Sequence, residues 1–442
     1  MTMARRFPRT FVFGVATSAY QIEGAHDADG KEPSIWDEFC RRPGAIDDGS
    51  TGDIACDHYR RYREDVGHIA ALGVDAYRFS VSWPRVLSNG TGTVNAKGLD
   101  FYDRLVDALL ERGVRPFATL YHWDLPQALQ AGGGWASPAT AERFAELAAV
   151  VGARLGDRVK DWITINELEV IAFVGHAYGQ HAPGLWDPGL ALRVAHQLLL
   201  AHRAATIALR AEVPGARVGI SVNLAPVHAA SASEPDIAAA RRLDGYFNRW
   251  YLDPLHGRGY PADMLEWYGD RLDPGAADQM RGYSGDLDFL GINYYSRQLV
   301  RAAPEGLLSL EHVRVPDAAY TTMGWEVYPQ GLAEILQRVT DDYRPPAIYV
   351  TENGASFEDR PVNGGVPDLA RTRYLATHFA EAARAIAAGV PLEGYFVWSF
   401  MDNFEWSHGY TKRFGVVYVD FATQRRVEKD SARWYRDFLS AR

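Results

Sequence analysis

A single handover recurs along these 442 residues: apolar positions three and four apart, a Gly or Pro stop, then a run of β-branched and aromatic residues. Tyr59, Tyr62, Val66, Ile69 and Ala70 make one helical face, which stops at Gly73 and passes into Asp75–Trp83. Phe101, Leu105, Val106, Leu109 and Leu110 make the next, which ends at Gly113 before Arg115–Trp123. The same pattern predicts strands over Asp161–Glu167, Arg217–Leu224, Ala347–Gly354 and Leu392–Phe400, and Phe11–Ser18 and Leu287–Tyr295 bring the candidates to eight. Strands that alternate with helices pair in parallel, and runs this apolar are covered on both faces, so the reading is an α/β fold, a (β/α)8 TIM barrel. The Gly, Pro and Ser clusters at 42–52, 132–138, 231–235 and 361–367 read as long loops on that barrel, because the alternation resumes after each. Residues 1–442 are therefore expected to form a single catalytic domain. A doubly wound open sheet is the runner-up, but no Gly-x-Gly-x-x-Gly or Walker-type loop follows any strand.

Composition narrows the function classes. A formal net charge of −10 with no basic stripe argues against nucleic acid as a partner. The two cysteines, Cys40 and Cys56, lie in no Cys-x-x-Cys pattern and near no His pair at zinc spacing, so they read as free thiols in a reducing compartment, with one disulfide between them as the alternative. Met1–Ala19 imitates a secretion leader poorly: its apolar run is short, Pro8 precedes it, and it passes directly into Gln21 and Glu23. No run of 18 apolar residues occurs, so no membrane partner is expected and the chain is read as cytoplasmic.

Two glutamates close β-rich runs where the strand should stop: Glu167 in Trp162-Ile163-Thr164-Ile165-Asn166-Glu167 and Glu352 in Ile348-Tyr349-Val350-Thr351-Glu352-Asn353-Gly354. Alone, a carboxylate at a strand end is ordinarily a solvated or salt-bridged group. A pair at the C-terminal mouth of one barrel has the makings of glycoside cleavage, where one carboxyl protonates a leaving oxygen while the other attacks or activates water.

The chain resembles glycoside hydrolase family 1, the β-glucosidases and their relatives, from Phe11 to about Phe438. The resemblance rests on separated motifs in the family's order: Phe11–Gly24, Tyr77–Arg85, Leu120–Pro126, Asn166-Glu167, Asn293-Tyr294-Tyr295, Thr351–Gly354 and Asp402–Trp406. It implies retaining hydrolysis of a small β-glucoside or short oligosaccharide without a cofactor or metal. Glu167 resembles the acid/base and Glu352 the nucleophile, with carboxyls expected roughly 5 to 5.5 Å apart. Gln21, His122, Asn166, Glu405 and Trp406 are implied around the sugar, and Trp398 beneath it. Arg78 and Tyr295 are expected to hold Glu352 ionised by opposite charge and a donated hydrogen bond. Trp123 and Asn293 are expected to support the site, and His176 and His181 are read as loop residues, their spacing matching no zinc pattern.

Two departures stand out. Where the family usually has Pro-Trp after the acid/base, this chain has Leu168-Glu169. Loss of proline frees an N–H and relaxes φ, which is expected to loosen the segment that carries Glu167. Glu169 in place of a stacking face is expected to disfavour flat or extended aglycones. Side activity on β-galactosides and β-fucosides is also expected, since Glu405 and Gln21 would contact hydroxyls that these sugars share. The alternatives are a 6-phospho-β-glycosidase, against which Glu405 argues although Ser407, Lys412 and Arg413 lie nearby, and a silent sugar- or partner-binding barrel, which typically lacks one of the two carboxylates.

Overall fold

The computed structural model describes residues 3–442. Eight parallel strands close into a barrel in chain order: β1 (Val12–Ala16), β2 (Ala76–Ser80), β3 (Arg115–Tyr121), β4 (Asp161–Asn166), β5 (Arg217–Asn223), β6 (Phe289–Asn293), β7 (Ile348–Asn353) and β8 (Leu392–Trp398), with β8 pairing back onto β1. Helices such as His58–Ala71, Ala96–Leu110, Pro138–Leu155, Pro188–Glu212, Gln330–Tyr343 and Leu369–Ala387 separate them. Gly73 and Gly113, which end the first two of these helices, have φ of +75° and +71°, a left-handed stop that costs a residue without Cβ nothing. The apolar run weighed as a leader supplies β1, every residue of which is buried; Met1 and Thr2 lie outside the described residues.

All eight expected strands are present, and the structure ends each of them short of its expected C-terminal limit. Ser18, Trp83, Trp123, Glu167, Tyr295 and Gly354 were read as strand but leave the ladder; of these, Trp123, Glu167 and Tyr295 line the cavity at the barrel mouth, whereas Trp83 packs against Trp135 and Phe144. Trp123 and Glu167 leave the ladder with φ of +82° and +54°, a conformation that costs a non-glycine residue about 1–2 kcal/mol and persists only where surroundings enforce it. Smaller pieces ride on the βα loops. Val227–Ala229, Gln298–Ala302 and Leu310–His312 form a three-stranded sheet, and Val417–Asp420 pairs with Arg425–Glu428.

The barrel interior is layered. At its base the rings of Phe117, Phe289, Tyr349 and Phe396 pack with centroids 5.1–5.6 Å apart, a solid plug. Above it lies a polar layer in which Arg78 donates to Thr119, and Thr351 to the Asn293 carbonyl oxygen at 2.7 Å. The C-terminal ends of the strands form the third layer, and the candidate site sits there.

Candidate active site

A cavity of about 420 Å³ opens at the C-terminal mouth, within the range usual for small-molecule sites. Its wall contains both expected carboxyls, Glu167 at the end of β4 and Glu352 in β7, together with His122, Trp123, Tyr295, Trp398, Glu405 and Trp406. Gln21, Arg78, Asn166 and Asn293 are fully buried directly behind that wall and hydrogen-bonded into it. The residues expected to catalyse, to bind sugar or to support the site thus fall into one connected assembly.

The two carboxyls differ in their partners. Arg78 Nη1 lies 2.6 Å from Glu352 Oε1, and the Tyr295 hydroxyl donates to Glu352 Oε2 at 2.6 Å. Glu167 meets no cation; Asn293 Nδ2 donates to its Oε1 at 2.7 Å. Asn166 Oδ1 links the two halves by accepting from Arg78 Nη2 at 2.6 Å and from Asn293 Nδ2 at 3.0 Å. Burial pushes both carboxyls above the ordinary range; at Glu167 the charge of Glu352 adds to the rise against smaller lowering by the Asn293 amide and Arg78, whereas at Glu352 the adjacent Arg78 and then the Tyr295 hydroxyl are the main opposition to burial. Glu352 therefore loses its proton first, and Glu167 keeps one to higher pH.

Aromatic rings form the other wall. The His122 ring stacks within 16° of Trp398 and 15° of Trp406, and Trp123 approaches Trp406 at 4.5 Å. Burial, then the charge of Arg78, holds His122 neutral. Trp123, expected as support, does support the site by donating to the Asn166 carbonyl at 2.9 Å, but it also faces the cavity. Gln21 Nε2 donates to Asn403 Oδ1, the Phe404 carbonyl and Glu405 Oε2 at 3.0, 2.9 and 3.3 Å, so it sets the loop that carries Glu405. Burial and the charge of Glu352 raise the Glu405 carboxyl to about 8.

Several expectations change. His181 lies on a loop, as expected, but it also lines the cavity and packs against Trp123 and Trp406, whereas His176 lies in helical backbone with Nδ1 on the Ile171 carbonyl at 2.8 Å. Leu168 opens a helical segment, 168–176, whose middle Val170–Val174 is π-type. The N–H freed by losing proline is at a helix start, where it would be unpaired in any case, and the buried Leu168 side chain packs into the core. Ser407, Lys412 and Arg413, the residues that kept a phosphate reading alive, all point elsewhere: Ser407 donates to the Gln180 carbonyl, Lys412 to the Thr322 carbonyl, and Arg413 to Asp402. The outer wall, from Val170, Val174, Phe247, Met323 and Trp325, was not read from the sequence. Val170 and Val174 lie in the 168–176 helical segment, Phe247 in helical Gly245–Arg249, and Met323 and Trp325 on a loop; they meet only once the barrel closes, and no local pattern marks them.

With this geometry described, the comparisons with known proteins are specific. The model of "Glycosyl hydrolase family 1" matches residues 3–442. The chain belongs to glycosyl hydrolase family 1. Among curated relatives, this family 1 chain is 49% identical to Beta-glucosidase A of Thermotoga maritima over 98% of each protein, and 47% identical to the 1,4-beta-D-glucan glucohydrolase of Thermotoga neapolitana over 98% of each. Among solved structures, it is similar to the Thermotoga maritima family 1 glycoside hydrolase complexed with a cyclophellitol analogue transition state mimic, with a TM-score of 0.96, 49% identity and 98% of each chain covered. The Thermotoga maritima beta-glucosidase in complex with deoxynojirimycin gives the same TM-score, identity and coverage. Among the described residues no helix is long and apolar enough to cross a membrane, and no group of three His, Cys, Asp or Glu is placed to hold a metal ion.

Proposed function

We propose that this family 1 chain is a retaining β-glucosidase that works as one catalytic unit on small β-glucosides in the cytoplasm, with Glu352 as nucleophile and Glu167 as acid/base. The observation that carries the assignment is the unequal company of two carboxyls in one cavity: Arg78 and Tyr295 on Glu352, a neutral amide on Glu167. Ionised Glu352 attacks the anomeric carbon while protonated Glu167 gives its proton to the departing oxygen, and a glucosyl ester forms on Glu352. Esterification removes the negative charge that raised Glu167, so Glu167 becomes the stronger acid and is left ionised. It then takes a proton from the water that opens the ester. Trp398 offers a flat apolar surface to the C–H face of the pyranose, and Glu405 and Gln21 offer polar atoms to its hydroxyls, contacts that galactose and fucose epimers would partly share. The names of the relatives, Beta-glucosidase A and 1,4-beta-D-glucan glucohydrolase, favour glucose.

Glu352→Gln is expected to lower kcat by at least about 10⁴-fold on nitrophenyl β-glucoside. Glu167→Ala is expected to let the ester form quickly from that activated leaving group but to stall its hydrolysis, so intact-protein mass spectrometry should find the chain heavier by one glucosyl unit. A Glu167→Ala variant that turns over at the wild-type rate without carrying a sugar would sink the assignment. Equal or faster cleavage of the 6-phosphate would favour the phosphoglycosidase instead.

A further inference from the structure

One cavity carboxyl has no part in the mechanism above. Glu169, the second residue of the 168–176 helical segment, is 6% exposed and borders the same cavity as Glu167. Its Oε1 accepts from the Tyr246 hydroxyl, and among the described residues no atom donates to its Oε2. Val170, Val174 and Phe247 add apolar surface to the same cavity wall, which among the described residues contains no lysine or arginine. Four of the wall residues are glutamates. The titratable groups facing Glu169 are Glu167 and the hydroxyls of Tyr178, Tyr246, Tyr251 and Tyr268, none of them a counter-charge.

We infer that Glu169 is a specificity residue for the leaving group, selecting β-glucosides whose aglycone carries a protonated amine that docks on its free carboxylate oxygen. The inference rests on the glucosidase reading above. A buried ionised carboxylate held by one tyrosine, with no lysine or arginine on the surrounding cavity wall, gains more from an ammonium group than from a hydroxyl, since only the former supplies the missing opposite charge. Glu169 is also where that preference becomes pH-dependent: burial raises it to about 7 against the lowering hydrogen bond from Tyr246. Above that pH it carries its charge, while an alkylammonium aglycone still holds its proton.

The test compares kcat/KM for 4-(aminomethyl)phenyl β-glucoside with that for its neutral isostere, 4-(hydroxymethyl)phenyl β-glucoside. The ratio of the two is expected to fall about tenfold in Glu169→Gln, in which the charge is removed and an acceptor for Tyr246 is kept. In the wild type the same ratio is expected to rise as pH increases through about 7, and Tyr246→Phe is expected to move that rise to higher pH. A role for Glu169 as a mere anchor between two helical segments would move none of these ratios. A wild type that cleaves both substrates with a pH-independent ratio overturns the inference alone, whether or not the Gln variant folds. A wild type that cleaves neither these glucosides nor nitrophenyl β-glucoside overturns the glucosidase reading and the inference with it.

Discussion

Arg78 shows how one side chain can make two similar glutamates different. Its guanidinium reaches Glu352 Oε1, the Thr351 carbonyl and Asn166 Oδ1 at 2.6, 3.0 and 2.6 Å, so one buried cation stabilises the deprotonated form of one carboxyl and orients the neighbour of the other. Two limbs of the pH–rate profile follow. With the proposed roles, the acid limb is expected to report protonation of Glu352 and the alkaline limb deprotonation of Glu167. Arg78→Met removes an attraction that lowers Glu352, so the acid limb is expected to move to higher pH. The negative charge of Glu169 raises Glu167; Glu169→Gln removes it, so the alkaline limb is expected to move to lower pH. Both shifts can be read from kcat/KM on nitrophenyl β-glucoside across pH. A shift of either limb in the opposite direction would contradict the charge assignment.

At the scale of elements, the strand bases set how well the mouth can be held. The aromatic plug fits because the facing strands have no side chain where the rings lie. A Cβ added at Gly14 would meet the Phe396 ring at 2.4 Å and the Ala76 carbonyl oxygen at 2.8 Å, and one at Gly219 would meet the Phe289 ring at 2.5 Å. Gly14→Ala is therefore expected to destabilise the barrel by about 1–3 kcal/mol, the usual cost of overpacking, seen as a lower midpoint of thermal unfolding. An unchanged midpoint would mean that the ring layer is looser than its contacts imply. The strands themselves were legible from the sequence because they are buried on both faces and read as continuous apolar runs. Their last residues were not, since the same β-favouring types continue past the point where Trp123 and Glu167 turn to positive φ. The 168–176 segment was expected as a loosened loop and is helical, its Leu168 held by tertiary packing that a missing proline does not reveal.

Across the whole molecule, a buried ionic network ties the C-terminal part of the chain to the site. Lys429 Nζ lies 2.5 Å from Asp359 Oδ2 and 2.6 Å from Asp402 Oδ1, Arg371 joins Asp359 to Asp368, and Arg413 also reaches Asp402. Asp402 begins the stretch that carries Glu405 and Trp406, so the network braces the sugar-facing loop against the C-terminal helix Asp430–Ser440. Lys429→Met leaves two buried carboxylates without their shared cation and is expected to cost about 3–5 kcal/mol. The predicted outcome is a lower unfolding midpoint together with a raised KM for glucosides, measured on the same preparation. A variant with a lower midpoint and an unchanged KM would separate the brace from the site.

What the amino-acid sequence determined by itself is whatever has a local period or a short motif. The helix-to-strand alternation specified eight strands, and the runs around Asn166-Glu167 and Thr351–Gly354 put the two carboxyls at strand ends. What only the tertiary structure decided is the company those carboxyls keep. Arg78 and Glu352 lie on strands far apart in sequence, as do Glu169 and Tyr246 on their helical segments, and each pair meets only after the barrel closes. Proton affinity in a buried site is set by burial and by neighbours within a few ångströms, and those neighbours are a property of the closed fold.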